Sequence, residues 1–89
     1  QTGTITTTVR GVITDKQSQF PLPGAIVILE GSNPVKAIAT DINGSYRLEG
    51  VPVGRQTIKV TMLGYDTGYY PNLLLNSGKD FELNIQLSE

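Results

Sequence analysis

Apolar and polar residues alternate in several short segments of this 89-residue chain. The longest such segment runs from Gln56 to Leu63, where Ile58, Val60 and Met62 alternate with threonine and lysine. Successive side chains of a β-strand point to opposite faces, so this period of two predicts a strand with one buried and one solvated face. We therefore expect an antiparallel sheet that is covered on one side.

Two further segments, near the two ends of the chain, alternate in the same way. Residues 8–14 place Val9 and Ile13 on one face, with Gly11 in mid-strand, where a bulge or a close backbone approach is expected. Residues 81–88 predict the last strand, with one face buried and the other in water. Its apolar positions are Phe81, Leu83, Ile85 and Leu87.

A continuous apolar run within residues 24–30 predicts a different kind of strand. Five apolar residues follow one another there, which is typical of a strand that is covered on both faces and central in its sheet. A reversal after Gly31 leads to a strand over residues 36–40. The segment 69–75 contains Pro71, which cannot donate to a ladder and therefore predicts a sheet edge or a bulge.

The dipeptide Asn43-Gly44 is the strongest hairpin signal in the chain. Both residues accept the positive φ that a tight type I′ turn requires. Tyr46 and Leu48 follow on one face of the next segment, as in a strand. The sequence thus predicts a tight β-hairpin here.

Together these segments predict an all-β fold, a seven-stranded antiparallel two-sheet sandwich. The turn signals recur about every 8 to 12 residues, as in known sandwiches. A small closed barrel is the alternative that the same pattern allows. Residues 8–89 would form one domain, and residues 1–7 would form a flexible N-terminal arm, because they carry too few apolar residues to offset the entropy of ordering.

The absence of histidine and cysteine narrows the chemistry more than any motif does. Imidazole and thiolate groups supply most acid–base catalysis near neutral pH and most transition-metal sites, so we expect no enzyme activity, no cofactor and no metal site. The seven basic and eight acidic residues are scattered, which argues against nucleic-acid binding. No apolar run approaches the roughly 20 residues that cross a bilayer.

Four motifs, in this order, resemble the carboxypeptidase regulatory-like domain, a transthyretin-like β-sandwich. They are a strand glycine, a Pro-Gly-Ala entry to the second strand, a Thr-Asp-Ile-Asn-Gly-Ser-Tyr turn and a Gly-Tyr pair after an alternating strand. The resemblance covers Val9 to Leu87 and implies a non-catalytic module of a larger protein. The motif residues, to which it assigns a structural role, are Gly11, Pro23, Gly24, Ala25, Thr40, Asp41, Asn43, Gly44, Tyr46, Gly64 and Tyr65.

The resemblance also implies a cellular setting. Domains similar to this one occur in Gram-negative bacteria at the N-terminus of TonB-dependent outer-membrane receptors, between the signal peptide and the plug. A first residue of Gln1 fits either the removal of a signal peptide or a shortened chain, and we favour the first, an exported protein. We therefore expect a scaffold or docking module on the periplasmic side of the outer membrane or at the cell surface. Its partners would be other domains of the same polypeptide or a periplasmic or outer-membrane protein. Similar domains also follow metallocarboxypeptidases, so an accessory domain of such an enzyme is the alternative parent.

If the segment 69–75 is an unpaired sheet edge, a partner could dock by adding an extended segment to it as a further strand. Tyr69 and Tyr70 lie in this segment and are the tentative surface contacts. They point to opposite faces if the segment is extended, so we expect one in the core and one near the surface. A glycan-binding module that uses one of these rings is the alternative function.

Three other groups of residues could suggest a calcium site, a crosslink or catalysis, and we assign none of these to them. Asp41 and Asn43, before Gly44, lack the further ligands of a calcium loop and are assigned to a turn. A covalent crosslink between Lys16 and Asn84 would need a buried pocket of low dielectric constant, whereas the alternation places Asn84 on the solvated face. Hydroxyisourate hydrolases share the transthyretin-like fold but depend on histidines, which are absent here.

Overall fold

The computed structural model describes residues 5–31 and 35–89, which form eight strands and two sheets. The strands are β1 (Thr6–Asp15), β2 (Ile26–Leu29), β3 (Lys36–Ala39), β4 (Ser45–Pro52), β5 (Gly54–Thr61), β6 (Gly68–Leu75), β7 (Phe81–Glu82) and β8 (Ile85–Leu87). Sheet I has the order β4-β1-β7, and β8 also pairs with β1. Sheet II has the order β3-β2-β5-β6.

The two sheets enclose a core that is almost entirely aliphatic. Val9 and Ile13 of β1 are fully buried, as are Ile58 and Val60 of β5, so the faces predicted from the alternation are correct. Burying one such side chain, relative to leaving it in water, contributes about 1.5–3 kcal/mol to the free energy of unfolding. The predicted all-β, two-sheet sandwich is confirmed. The other buried apolar residues are Leu22, Ala25, Val27, Leu29, Tyr46, Leu48, Val51, Leu75, Ile85 and Leu87.

The end of the chain differs from the prediction in two ways. The strand predicted over residues 81–88 is split into β7 and β8, with Leu83 and Asn84 between them, which gives eight strands instead of seven. Both pieces pair with β1 in parallel, and Ile13 lies opposite Ile85. Sheet I is therefore mixed. Alternation predicts which face of a strand is buried but not the direction of its neighbour.

The prediction of a type I′ hairpin at Asn43-Gly44 is wrong, because β3 and β4 belong to different sheets. The Gly44 N–H donates to the Asp41 carbonyl at 2.9 Å, and of the two predicted residues only Gly44 has a positive φ, 74°. Asp41 Oδ1 accepts the N–H groups of Asn43 and Ser45, as a turn residue does. This turn carries the chain from one sheet to the other.

The bounds of β1 and β2, and the burial of β2, also differ from the predictions. β1 begins at Thr6, so Thr6 and Thr7 belong to the strand, while residues 1–4 of the predicted arm lie outside the described residues. β2 is shorter than predicted and is covered on one face only, since Val27 is buried and Ile26 is 36% exposed. It is nevertheless central, as predicted, because it pairs with both β3 and β5.

The close backbone approach predicted at Gly11 is present. The Leu83 carbonyl lies directly over Gly11, where an added Cβ atom would come within 2.0 Å of the carbonyl oxygen. The Tyr46 hydroxyl donates to the same carbonyl. Asn84 Oδ1 accepts the N–H of Val12 at 3.0 Å, so a side chain completes the ladder where β7 and β8 part. Gly11 thus lets the C-terminal segment cross close to β1.

A hydrogen bond between Asp15 and Tyr65 ties the loop after β5 to the end of β1. The Tyr65 hydroxyl donates to Asp15 Oδ2 at 2.6 Å, and Asp15 Oδ1 accepts the N–H groups of Gln17 and Ser18. The bond from Tyr65, then those from Ser18 and Gln17, lower the pKa of Asp15 below its ordinary value of 3.8. The same bond raises the pKa of Tyr65 to about 12. Tyr65 is half-buried and packs against the core.

Replacing Gly11 with alanine should destabilise the domain, because backbone atoms of Leu83 occupy the space of the new Cβ. We expect the free energy of unfolding in urea to fall by about 1–3 kcal/mol. Gly68→Ala is the matched control, since its Cβ would meet only side-chain atoms, a methyl carbon of Leu87 and a ring carbon of Tyr70, each at 3.1 Å, and no backbone atom. Equal losses in the two variants would contradict the role assigned to the Leu83 carbonyl.

The Asp15–Tyr65 bond should make stability depend on pH in acid. Because the pKa of Asp15 is lower in the folded state, its contribution is complete above the unfolded pKa and is lost as pH falls through the folded pKa. We expect Tyr65→Phe to flatten the decline of the unfolding free energy between about pH 5 and pH 2. Tyr69→Phe, at an exposed ring, should keep the wild-type slope in the same urea series. An unchanged slope in Tyr65→Phe would show that this bond is not the cause.

Candidate functional site

Two of the sequence motifs meet around the buried hydroxyl of Thr40. This hydroxyl donates to the Leu22 carbonyl at 2.6 Å and accepts the N–H of Ala25 at 3.0 Å. The Thr40 N–H also donates to the Ala25 carbonyl, and its carbonyl accepts the N–H of Gly24, the residue after Pro23. A buried hydroxyl with both partners present joins the entry of β2 to the exit of β3. The contacts of these motif residues are structural.

Gly44 and Tyr46 connect the same turn to sheet I and to the C-terminal segment. A Cβ atom on Gly44 would lie 2.7 Å from the Ile13 carbonyl oxygen, and the Ile13 N–H donates to the Gly44 carbonyl at 2.8 Å. Burial raises the pKa of Tyr46 well above its ordinary value, so its hydroxyl remains a donor to Leu83. Gly64 has a φ of 87° in the loop after β5, which suits glycine.

β6 is an edge strand, as predicted for residues 69–75. It pairs with β5 only, and among the described residues no strand lies on its other side. The register shifts within β6, so that two residues, Pro71 and Asn72, stand against Thr57. Asn72 has a φ of 61°, which asparagine tolerates better than most residues. β6 therefore combines both features that the proline predicts, an edge and a bulge.

The two tyrosines of β6 lie on opposite sides of sheet II. Tyr69 stands opposite Lys59 on the outer face and is 60% exposed. Tyr70 stands opposite Ile58 and packs against the core. The arrangement agrees with the expectation of one ring in the core and one near the surface. It also means that the two rings cannot form one aromatic platform.

The outer face of sheet II is apolar on β2, β3 and β6, whereas the outward residues of β5 are polar, namely Arg55, Thr57, Lys59 and Thr61. Ala37, Ile28, Lys59 and Tyr69 form one row across its four strands. Lys59 is partnered by Glu30, with Nζ 3.8 Å from Oε2, so the row carries no unbalanced charge. We call this surface the apolar face; it comprises Ile26, Ile28, Ala37, Ala39, Tyr69 and Leu74.

The outer side of sheet I is polar instead. Arg10 Nε lies 3.3 Å from Asp80 Oδ2, and Arg47 contacts both Asp80 and Glu49, with Nε 2.8 Å from Glu49 Oε2. Glu49, and after it Asp80, raises the pKa of Arg47. A sheet face with paired charges is well solvated, whereas an exposed apolar face is typical of a contact surface.

An open cleft of about 670 Å³ lies along β1 and β8 and reaches Tyr70 of β6. Lys16 and Asn84 both line it, but both are exposed. The Asn84 side chain is held by Val12 N–H and by Glu82. The site therefore lacks the low dielectric constant that a crosslink between lysine and asparagine would need, in agreement with the expectation from sequence.

Within residues 5–31 and 35–89, no three acidic side chains are grouped closely enough to hold a metal ion. In the same part of the chain, no helix has the length and hydropathy needed to span a bilayer.

Solved structures of different kinds contain a similar sandwich. One is a chain of a C-terminal interface mutant of the type II cohesin–X–dockerin complex from Acetivibrio cellulolyticus. It is 29% identical, with a TM-score of 0.74, and the match covers 89% of this chain and 52% of that chain. The domain thus spans about half the length of that relative.

Two more distant matches show the fold alone. The Bacillus anthracis TIE protein is 15% identical, with a TM-score of 0.72, over 96% of this chain and 17% of that chain. 3-Chlorocatechol 1,2-dioxygenase from Rhodococcus opacus 1CP is 12% identical, with a TM-score of 0.71, over 98% of this chain and 61% of that chain.

Family comparison agrees with the motifs. No curated protein sequence matches the chain. The carboxypeptidase regulatory-like domain matches residues 8–88, from within β1 to just beyond β8. This range includes all of the strands except the first two residues of β1, and it includes all four motifs. The chain therefore belongs to the carboxypeptidase regulatory-like domain family, whose β-sandwich is non-catalytic.

Proposed function

We propose that this domain is a docking module of a larger exported polypeptide, and that it binds a protein partner through β6 and the adjoining apolar face. The observation that carries the proposal is the difference between the two outer sheet faces. Sheet I presents ion pairs to water, whereas sheet II, besides the pair of Lys59 and Glu30, exposes apolar side chains on the two strands that flank β5, next to an unpaired edge. Exposed apolar surface next to a free edge is typical of an interaction site.

The free edge of β6 supplies backbone donors and acceptors for an extended partner segment. The bulge at Pro71 and Asn72 interrupts this row, and Pro71 has no N–H to offer. Indiscriminate pairing is thereby limited, because only short stretches on either side of the bulge remain regular. Tyr69 and Leu74 flank the bulge on the outer face, where they are 60% and 62% exposed. Their side chains would give the partner its specificity.

Two further observations support this function. The relative that is 29% identical is part of an assembly of cohesin, X and dockerin components, which makes a role in protein–protein assembly reasonable here. The chain also contains no histidine or cysteine, the residues that most often perform acid–base or nucleophilic chemistry near neutral pH. A binding function without catalysis fits this composition.

As the finer part of the proposal, the parent is a TonB-dependent outer-membrane receptor and the domain is its periplasmic N-terminal extension. The support is the motif resemblance together with the family match over residues 8–88. The partner is then another domain of the receptor or a neighbouring periplasmic or outer-membrane protein. An accessory domain of a metallocarboxypeptidase is the alternative parent.

Hydrogen–deuterium exchange should locate the docking surface. We expect the amides of residues 68–75 to exchange more slowly in the full-length polypeptide than in the isolated domain, while the β4 edge, which belongs to sheet I, serves as the internal control. Leu74→Lys should remove most of this added protection, because a charged side chain blocks apolar contact and edge pairing. Its own effect on the unfolding free energy should stay within about 0.5 kcal/mol.

The matched control for that experiment is Leu63→Lys. Leu63 is 98% exposed and lies outside β6, so the same change should leave the added protection intact. Docking through β6 is contradicted if the full-length polypeptide protects only β3 or β4, or if both lysine variants act alike.

Cell fractionation should test the parent protein. In Gram-negative cells that make the full-length polypeptide, an antibody against this domain should detect it in the outer-membrane fraction. External protease should leave the domain intact until the outer membrane is permeabilised, because the periplasm is then opened. Cleavage in intact cells, or recovery of a free polypeptide with carboxypeptidase activity, would reject the receptor assignment.

A further inference from the structure

The cleft on sheet I continues along β8. Its main part, of about 670 Å³, extends from Thr14 and Gln86 to Tyr70. A smaller depression of about 360 Å³ shares Lys16 and Ser88 with it. The two together form a trough that follows the strand direction. An elongated open trough suits a linear ligand rather than a compact one.

Polar side chains that have no partner converge on this trough. Within the described part of the chain, no side-chain hydrogen bond or ion pair engages Thr14, Lys16, Tyr70, Gln86 or Ser88. The ionic side chains on the outer side of sheet I are, in contrast, paired with one another. Three hydroxyls, one amide and one ammonium group are thus available to a ligand.

The charge of the trough disfavours an anionic ligand. Lys16 is its only cationic side chain, and Glu82 and Glu89 also line it, so no positive excess exists. Hydroxyl and amide groups both donate and accept, which matches the alternating donors and acceptors of sugar hydroxyls. Val12, 36% exposed, and the half-buried Tyr70 add apolar surface of the kind that contacts the C–H face of a sugar ring.

We propose that this trough binds a linear neutral oligosaccharide, with Thr14, Gln86 and Ser88 bonding its hydroxyls and Tyr70 contacting a ring. The site lies along β1 and β8 of sheet I and includes Tyr70 of β6, whose ring is on the inward side of sheet II; it is separate from the outer face of β6, where Tyr69 lies. The inference goes beyond docking and does not depend on it, because each surface has its own residues.

Titration of the isotope-labelled domain with maltohexaose, cellohexaose and xylohexaose tests this proposal by amide chemical shifts. We expect saturable shifts at residues 12–16 and 82–88 with at least one of these sugars. Gln86→Ala and Thr14→Val should each weaken binding about threefold to tenfold, the effect of losing one hydrogen bond. Both side chains lack partners within the described residues, so these variants should fold normally.

Tyr69→Ala and Leu74→Lys are the matched controls, because they alter the other sheet and should leave sugar affinity unchanged. The proposal is overturned if none of the three sugars gives saturable shifts, or if the shifts lie on the outer face of sheet II, around Tyr69 and Leu74. It is equally overturned if an extended peptide or inorganic phosphate occupies the trough and the sugars do not. None of these results would alter the exchange behaviour of β6, so failure here and failure of docking can be told apart.

Discussion

The fold depends on the contact between the inward faces of two sheets that are joined by no strand pairing among the described residues. A domain of this size buries only roughly 60–65% of the surface of its unfolded chain, so nearly every inward position must carry an apolar side chain. Places where the chain leaves one sheet for the other need special contacts, because ladder hydrogen bonds end there. The Thr40 hydroxyl and the Asp41 carboxylate supply them between β3 and β4.

Features that depend on local spacing could be predicted from the sequence. Alternation assigned the buried faces of β1 and β5, and it separated Tyr69 from Tyr70. Pro71 indicated an edge and a bulge because a missing N–H has the same consequence in any sheet. Gly11 indicated a close approach, although the atom that approaches, the Leu83 carbonyl, comes from the far end of the chain.

Features that depend on which strands become neighbours could not be predicted in this way. The turn at Asn43-Gly44 has hairpin residues, yet the strands on either side pack in different sheets, and local chemistry does not contain that information. The parallel pairing of β7 and β8 with β1 is equally nonlocal. The apolar face was missed for the same reason, because Ile28 and Tyr69 are far apart in sequence and are aligned only by the register with β5.

Packing in the core determines which residue types face inward. It does not determine which residue types face outward, so the outward residues carry the functional information. Tyr69 and Leu74 contribute little to folding, since most of each side chain remains in water. An apolar residue there is not required by the sandwich, whose other outer face is polar and equally well formed. Tyr69 and Tyr70 are consecutive but lie on opposite sides of sheet II, because one peptide step in a strand reverses the side. A substitution at Tyr69 therefore changes the outer face without reaching the core, whereas one at Tyr70 alters a side chain that packs against the core.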